Sequence, residues 1–268
     1  MLHTGRVQYA INPVDGVRVA YRTIGDGPPL VLLHGTALSS AIWRGFGYVG
    51  ALRDRYRLIL VDLRGHGRSD TPHDEDSYSM ELVSGDVLAV LDHLDVPTAH
   101  VLGYSLGARV ALALAAGAPE RLSSLIIGGG SSRPQAGAFD RLFFPGCADV
   151  LARDGMDAFL EQWGARRSWP IDPGTRAAFE ADDAEALAAY MRRSAVEPGV
   201  DDDVLRRISV PTLLFVGSED TARVDDTEHM AELIPGASLA VIPGFDHSTT
   251  VAASAEVLAE VEPFLDSV

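Results

Sequence analysis

The chain has 268 residues, of which 47% are hydrophobic and 22% are charged, enough apolar sequence for one large core or for a core with an insertion. Its formal net charge of -16 argues against nucleic acid as a partner, because phosphate backbones are bound by clustered cations. No apolar run approaches the roughly 20 residues of a membrane span, and the first residues lack a secretory signal pattern. The sequence therefore predicts a cytoplasmic protein that has no membrane partner.

Residue types that are missing or rare exclude further chemistries. All 22 basic residues are arginine, so a lysine nucleophile or Schiff base is excluded. The single cysteine, Cys147, has no disulfide partner and no companions for a structural zinc site. We therefore predict no metal site, and we expect Cys147 to be a buried or half-buried hydrophobe.

Short β-type runs alternate with helical patterns along most of the chain, which is typical of a mainly parallel sheet covered by helices. Helices are predicted from the N-cap Ser79 to Pro97, directly after Ser105, and over 251–268. The fold class is therefore α/β, with a doubly wound, mainly parallel sheet. The predicted strands are 17–25, 30–33, 57–62, 99–103, 122–128, 211–217 and 238–244.

The alternation stops at residues 131–209, where several helical patterns but no strand-like run occur. We predict that this range is a helical cap, inserted between two segments of one core domain, 1–130 and 210–268. Bulky apolar residues are frequent in the cap, and we expect most of them to pack it onto the core. They are Phe139, Phe143, Phe144, Met156, Phe159, Trp163 and Trp169.

The pentapeptide 103–107, GYSLG, matches the pattern G-x-S-x-G between a buried strand and a helix. In such a sharp turn the residues that flank the serine crowd the neighbouring backbone, so both flanking positions require glycine. The turn lifts the Ser105 hydroxyl clear of the sheet at the positive end of a helix. A small residue in a turn is also compatible with a purely structural role, and a nucleophilic serine needs a base and an orienting acid.

His247 is the best candidate for the base among the eight histidines. It follows the last predicted strand, on a loop near the carboxyl edge of the sheet. His34 and His66 lie in glycine-containing turns after earlier strands, where we expect structural roles.

The orienting acid should leave a strand end between the serine and the histidine, and Asp220 meets that requirement directly after strand 211–217. Glu219 is adjacent but would point in another direction. Asp246 is too close in sequence to His247 to orient its ring from behind. Asp220 is therefore the predicted acid.

Five motifs in this order resemble the α/β-hydrolase fold superfamily: HGTALSSAIW, DLRGHGRSD, GYSLG, GSED and FDH, which start at residues 34, 62, 103, 217 and 245. The resemblance covers nearly the whole chain and is weakest across the cap. It implies a serine-nucleophile esterase or lactonase with the triad in the chain order Ser105, Asp220, His247. It also implies an oxyanion hole formed by the main-chain N–H groups of Leu106 and Thr36, with Ala37 as the alternative to Thr36.

The resemblance implies hydrolysis of a small-molecule carboxylic ester or lactone by two-step acyl transfer, without a cofactor. A thioesterase, a C–C bond hydrolase or a cofactor-free perhydrolase would use the same residues, and some members of the fold are ligand-binding receptors. Phe144 and Trp163 are the candidates to line a pocket for a medium-sized apolar or aromatic ester. The glycine run that follows His-Gly in many lipases is absent here, which argues against that group.

Overall fold

The computed structural model describes residues 5–168 and 170–268, so Trp169 lies outside the described residues. Eight strands form one sheet in the order β1-β2-β4-β3-β5-β6-β7-β8. All neighbours from β4 to β8 in this order pair in parallel. Strand β2 pairs antiparallel with both of its neighbours, β1 and β4. The sheet is therefore mainly parallel, which confirms the predicted fold class. The strands are β1 Gln8–Ile11, β2 Arg18–Ile24, β3 Pro29–Leu33, β4 Arg57–Val61, β5 Ala99–Tyr104, β6 Leu122–Gly128, β7 Thr212–Gly217 and β8 Ser238–Ile242.

Helices connect most of the parallel strands and cover both faces of the sheet. In the described part of the chain, none is long and apolar enough to cross a membrane. The helices are α1 Ala41–Gly45, α2 Tyr48–Leu52, α3 Met80–His93, α4 Leu106–Gly117, α5 Ala138–Leu142, α6 Cys147–Ala165, α7 Pro173–Glu180, α8 Ala184–Val196, α9 Asp202–Leu205, α10 Val224–Leu233 and α11 Ser254–Asp266.

The central strands are continuous apolar runs because both of their faces are buried. In β3, Val31 and Leu33 belong to the core cluster that contains residues of α3 and α4. The alternate residues Leu30 and Leu32 belong to the cluster on the other face, with residues of α2 and α11. The period-2 geometry of a strand thus divides one apolar run between two cores.

Five helices, α5 to α9, lie between β6 and β7, and we call residues 131–209 the helical insertion. Its longest helix, α6, is interrupted at Gly155, whose φ is 83°. Phe159, Leu160 and Trp163 are buried on α6, and Met156 is partly buried against the same cluster. These side chains form the packed face of α6.

Two predicted helix ends differ from the structure by three or more residues, and one strand is not predicted. Helix α3 ends at His93 rather than at Pro97, because Asp95 adopts a left-handed φ of 52° and Val96 N–H bonds back to Leu91 O. The last helix begins at Ser254 rather than at residue 251. Strand β1 is only four residues long and lies at the sheet edge, so its pattern is too short to be recognised.

A buried ion network fixes the loop after β4. The Arg64 side chain is fully buried and pairs with Asp86 on α3 and with Asp15, at 2.6 Å in each case. Asn12 Nδ2 donates to Asp86 Oδ1 at 2.8 Å. Removal of Arg64 would leave the buried Asp86 carboxylate without its ion-pair partner, which costs about 3–5 kcal/mol.

The turn between α7 and α8 brings a carboxylate of the insertion against the core. The pKa of Asp182 is raised to about 7, mainly by burial and further by the negative charges of Asp62 and Asp183. A hydrogen bond from the Gly67 N–H opposes this shift. The Asp182 Oδ2 atom is buried without a hydrogen-bond partner. The ionised form is therefore disfavoured in the folded protein.

The substitution Asp182→Asn should remove a pH dependence of stability. Below about pH 4 this carboxyl is protonated in both the folded and the unfolded chain. As the pH rises from there, the unfolded chain loses the proton first, so wild-type stability falls until the pH passes about 7. We expect Asp182→Asn to have a higher Tm than wild type at pH 8 and a similar Tm at pH 4.5, as measured by thermal denaturation.

The matched control is Asp26→Asn, which changes an exposed carboxylate. It should leave the Tm unchanged at both pH values. An equal Tm difference between Asp182→Asn and wild type at both pH values would contradict this interpretation of the Asp182 contact.

Candidate active site

The turn between β5 and α4 holds Ser105 in a strained conformation, with a φ of 55° and a ψ of -108°. A Cβ atom at Gly103 would lie 2.1 Å from Gly107 O, and one at Gly107 would lie 2.2 Å from Leu33 O. Neither position has room for a side chain, which confirms the predicted steric reason for both glycines. The serine hydroxyl is thereby presented at the first turn of α4.

Main-chain hydrogen bonds join the loop after β7 to the loop after β8. Ser218 N–H donates to Ile242 O at 2.8 Å, and Glu219 N–H donates to Phe245 O at 2.9 Å. The two loops carry the predicted acid and the predicted base, so the sheet edge brings those side chains together.

The structure places the three side chains that the sequence singled out in one hydrogen-bonded line. His247 Nε2 lies 2.9 Å from Ser105 Oγ, and His247 Nδ1 lies 2.6 Å from Asp220 Oδ2. Asp220 is buried, whereas its neighbour Glu219 is exposed. With Nδ1–H donating to the carboxylate, Nε2 is free to accept the serine proton, which is the geometry of an activated hydroxyl nucleophile.

Two side chains, those of Tyr104 and Asp246, hold the loop of His247. The sequence did not predict the role of Tyr104. The Tyr104 hydroxyl donates to His247 O at 2.5 Å, and burial raises the pKa of this phenol, so that it stays a donor. Nothing in the motif marks this role, because the second residue of G-x-S-x-G is variable. Asp246 Oδ1 accepts from the N–H groups of Ser248 and Thr249, at 2.9 Å each, so Asp246 caps its own turn.

The loop after β3 lies against the start of α4, because Gly107 N–H donates to His34 O at 3.0 Å. The N–H groups of Thr36 and Leu106, which the family resemblance nominates, have no hydrogen-bond acceptor within residues 5–168 and 170–268. Ala37 has a left-handed φ of 55°. A Cβ atom at Gly35, next to Thr36, would lie 3.3 Å from Ser105 Cβ, so this loop lies against the nucleophile candidate.

Tyr190 connects the helical insertion to this loop, and the sequence offered no signal for it. It is buried on α8, and the Thr36 hydroxyl donates to its oxygen at 3.3 Å. Its ring centroid lies 6.0 Å from that of His66 and 5.6 Å from that of Phe139. The Thr36 hydroxyl therefore bonds to the insertion and does not cap α1, whose N-cap is Ser40.

His34 and His66 have the structural roles that the sequence predicts. His34 Nδ1 bonds to Gly35 O at 2.8 Å, and His34 Nε2 accepts from Leu63 N–H at 3.1 Å. Burial lowers the pKa of His34 and lowers that of His66 to about 3. Both rings are therefore neutral and brace the loops that border the site.

The two pocket candidates lie in the aromatic cluster of the insertion. The Phe144 ring is 5.4 Å from Phe159 and lies under the Arg166 guanidinium. The Trp163 ring is 5.0 Å from Phe143. In the described part of the chain, no ring contact joins either of them to the Ser105 site, so a substrate-lining role stays a prediction. The same part of the chain holds no group of three His, Cys, Asp or Glu arranged for a metal ion.

Comparisons with known proteins agree with this architecture. Residues 28–155 match a family model described as alpha/beta hydrolase fold. A pimeloyl-[acyl-carrier protein] methyl ester esterase of Methylococcus capsulatus is 33% identical over 208 residues, 74% of this chain and 78% of that protein. A second esterase with this name, from Aeromonas hydrophila, is 45% identical over 108 residues, which are 40% of each protein.

A solved structure agrees with these matches in sequence. The enol-lactonase from Burkholderia xenovorans LB400 has a TM-score of 0.81 with this protein at 25% identity, over 97% of this chain and 100% of that one. The shared sheet, the motifs at its strand ends and the sequence identity lead to one conclusion: the chain belongs to the α/β-hydrolase family.

Proposed function

We propose that the protein is a serine hydrolase that cleaves a carboxylic ester or lactone through an acyl-enzyme intermediate. The observation that carries this proposal is the hydrogen-bonded line from Ser105 Oγ through His247 to Asp220, with distances of 2.9 and 2.6 Å. In this proposal Ser105 is the nucleophile, His247 is the general base and acid, and Asp220 holds the imidazole tautomer.

The reaction proceeds in two halves. Ser105 Oγ attacks the substrate carbonyl while His247 Nε2 takes the hydroxyl proton, and Asp220 stabilises the imidazolium. The N–H groups of Leu106 and Thr36 bind the developing oxyanion, and the loss of one such donor typically costs about 3–4 kcal/mol. His247 then protonates the leaving alcohol, and a water molecule repeats the sequence and releases the acid.

The names of the relatives support an ester or a lactone as the substrate class. We propose a medium-sized apolar or aromatic acyl compound, with the helical insertion as a cap over the core segments 1–130 and 210–268. Water and these side chains supply every proton transfer, so the cycle needs no cofactor, and it suits a cytoplasmic enzyme. A thioester, a C–C bond or a peroxide reaction would use the same atoms. An assay panel of esters, lactones and thioesters, extended by a C–C hydrolase substrate and a perhydrolysis assay, separates these classes.

Covalent labelling tests the nucleophile. Incubation with a fluorophosphonate should add one phosphonyl group per chain, as measured by intact mass, and Ser105→Ala should abolish the adduct. The matched control is Ser248→Ala, which changes an exposed serine on the loop of His247; it should label like wild type. A wild-type protein that forms no adduct would refute the hydrolase and favour a ligand-binding member of the fold.

The substitution Asp220→Asn tests the orienting carboxylate. An amide in this place favours the wrong imidazole tautomer, so we expect kcat on the best ester of the panel to fall by about 10⁴-fold. The thermal stability of the variant should change much less than its rate. Glu219→Gln alters the exposed neighbouring carboxylate and should retain nearly full kcat; equal losses in both variants would argue against a specific role of Asp220.

The substitutions Phe144→Leu and Trp163→Leu test the proposed pocket. If the rings contact the substrate, the ratio of kcat/KM between aryl and short-chain alkyl esters should change several-fold relative to wild type. Phe179→Leu is the matched control, since Phe179 packs in the same aromatic cluster, 5.3 Å from Trp163. A lower Tm with an unchanged ratio in all three variants would show that the two candidates only pack the insertion.

A further inference from the structure

A cavity of about 450 Å³ lies beside the loop after β3, and three arginines converge on it. Arg22 belongs to β2 and Arg44 to α1, while Arg68 lies in the loop after β4. The hydroxyl-bearing residues Ser39 and Ser40 also line this cavity, which we call the arginine cavity. The residues come from three separate segments, namely β2, the loop after β3 with α1, and the loop after β4, so only the tertiary fold assembles them.

One carboxylate, that of Asp62, also borders the arginine cavity. Its Oδ1 accepts from Ser40 N–H at 2.8 Å, and its Oδ2 accepts from Arg68 N–H at 3.1 Å. The carboxylate thus ties the two loops together through their main chains. It scaffolds the cavity walls, and three guanidinium charges against this one carboxylate leave an excess of two positive charges.

That excess is unexpected in this chain, which has 38 acidic and 22 basic residues. Within residues 5–168 and 170–268, none of the three cavity arginines forms an ion pair with a carboxylate. Arg22 Nη1 instead donates to the main-chain Gly5 O at 2.9 Å. Guanidinium groups bind carboxylate and phosphate oxygens through paired N–H donors, so the cavity has the lining of a site for an oxyanion.

We propose that the arginine cavity binds a small oxyanion that carries two or more negative charges, in the form of phosphate or carboxylate groups. The guanidinium groups supply the charge-assisted hydrogen bonds, and the Ser39 and Ser40 hydroxyls add neutral donors. This inference does not depend on the reaction at Ser105.

The cavity is adjacent to the loop that borders the Ser105 site. Strands β3 and β4 pair in parallel with Leu33 opposite Val61, so His34 and Asp62 leave the sheet at the same edge. Ser39 and Ser40 lie on the same loop as Thr36, three and four residues further along the chain. An anion in the cavity therefore binds beside the loop that carries the Thr36 N–H.

Ligand-induced stabilisation tests this site without any assay of hydrolysis. Pyrophosphate and citrate would each be titrated at constant ionic strength, with sodium chloride as the balancing salt, and the Tm would be followed. An anion that binds only the folded state raises the Tm as its concentration increases. We expect this rise for wild type and for Ser105→Ala with at least one of the two anions, and the preferred anion identifies a phosphate or a carboxylate ligand.

The variants Arg44→Gln and Arg68→Gln should weaken binding about tenfold or more, because each removes charged donors to the anion. Each variant is compared with its own Tm without ligand, and calorimetric titration gives the change in Kd. The matched control is Arg207→Gln, since Arg207 is exposed and forms no ion pair in the described part of the chain. A wild type that neither anion stabilises beyond sodium chloride, or full stabilisation of both cavity variants, would overturn the proposal.

Discussion

The close contact between the β5–α4 turn and the end of β3 is the constraint on which the site depends. A Cβ atom at Gly107 would meet Leu33 O at 2.2 Å, so the helix can start only where glycine allows it to lie against the neighbouring strand. The same contact aligns Gly107 N–H with His34 O. Ser105, two residues before Gly107, has a left-handed φ of 55°. This steric condition therefore fixes the start of α4, which carries Ser105 and Leu106, against the loop after β3.

The parallel sheet supplies the rest of the site, because the carboxyl ends of its strands collect loops at one edge. The loops after β7 and β8 are joined by main-chain hydrogen bonds, so the distance between Asp220 and His247 does not depend on flexible side chains alone. Tyr104 adds a third constraint, since its buried hydroxyl bonds to the main chain of His247. Three contacts therefore hold the imidazole ring: the main-chain bonds of its loop, the Tyr104 hydroxyl at the end of β5 and the Asp220 carboxylate. A side chain that takes part in a proton transfer must be held rigidly in this way.

The helical insertion is coupled to the core by polar contacts as well as by its aromatic cluster. Tyr190 accepts a hydrogen bond from the Thr36 hydroxyl. Asp182, whose pKa is raised, accepts a hydrogen bond from the Gly67 N–H. The arginine cavity lies on the stretch of core loop that continues from Thr36 to Ser40. The loop after β3 therefore has three neighbours: the start of α4, the insertion and a cationic cavity.

The sequence by itself determined the sheet and the positions of the candidate triad. A buried parallel strand is a continuous apolar run, and the motifs of Ser105 and Asp220 follow two such runs, β5 and β7. The motif of His247 follows β8, an apolar run at the sheet edge that is partly exposed. The sequence could not reveal β1, which is a four-residue edge strand. It also could not reveal the end of α3, because the left-handed Asp95 ends this helix before Pro97. Only the tertiary structure decided the roles of Tyr104 and Tyr190 and the meeting of Arg22, Arg44 and Arg68, because these contacts join residues far apart in the chain. The local pattern of apolar residues indicates which residues are buried and which element they form, whereas such contacts depend on how the elements pack.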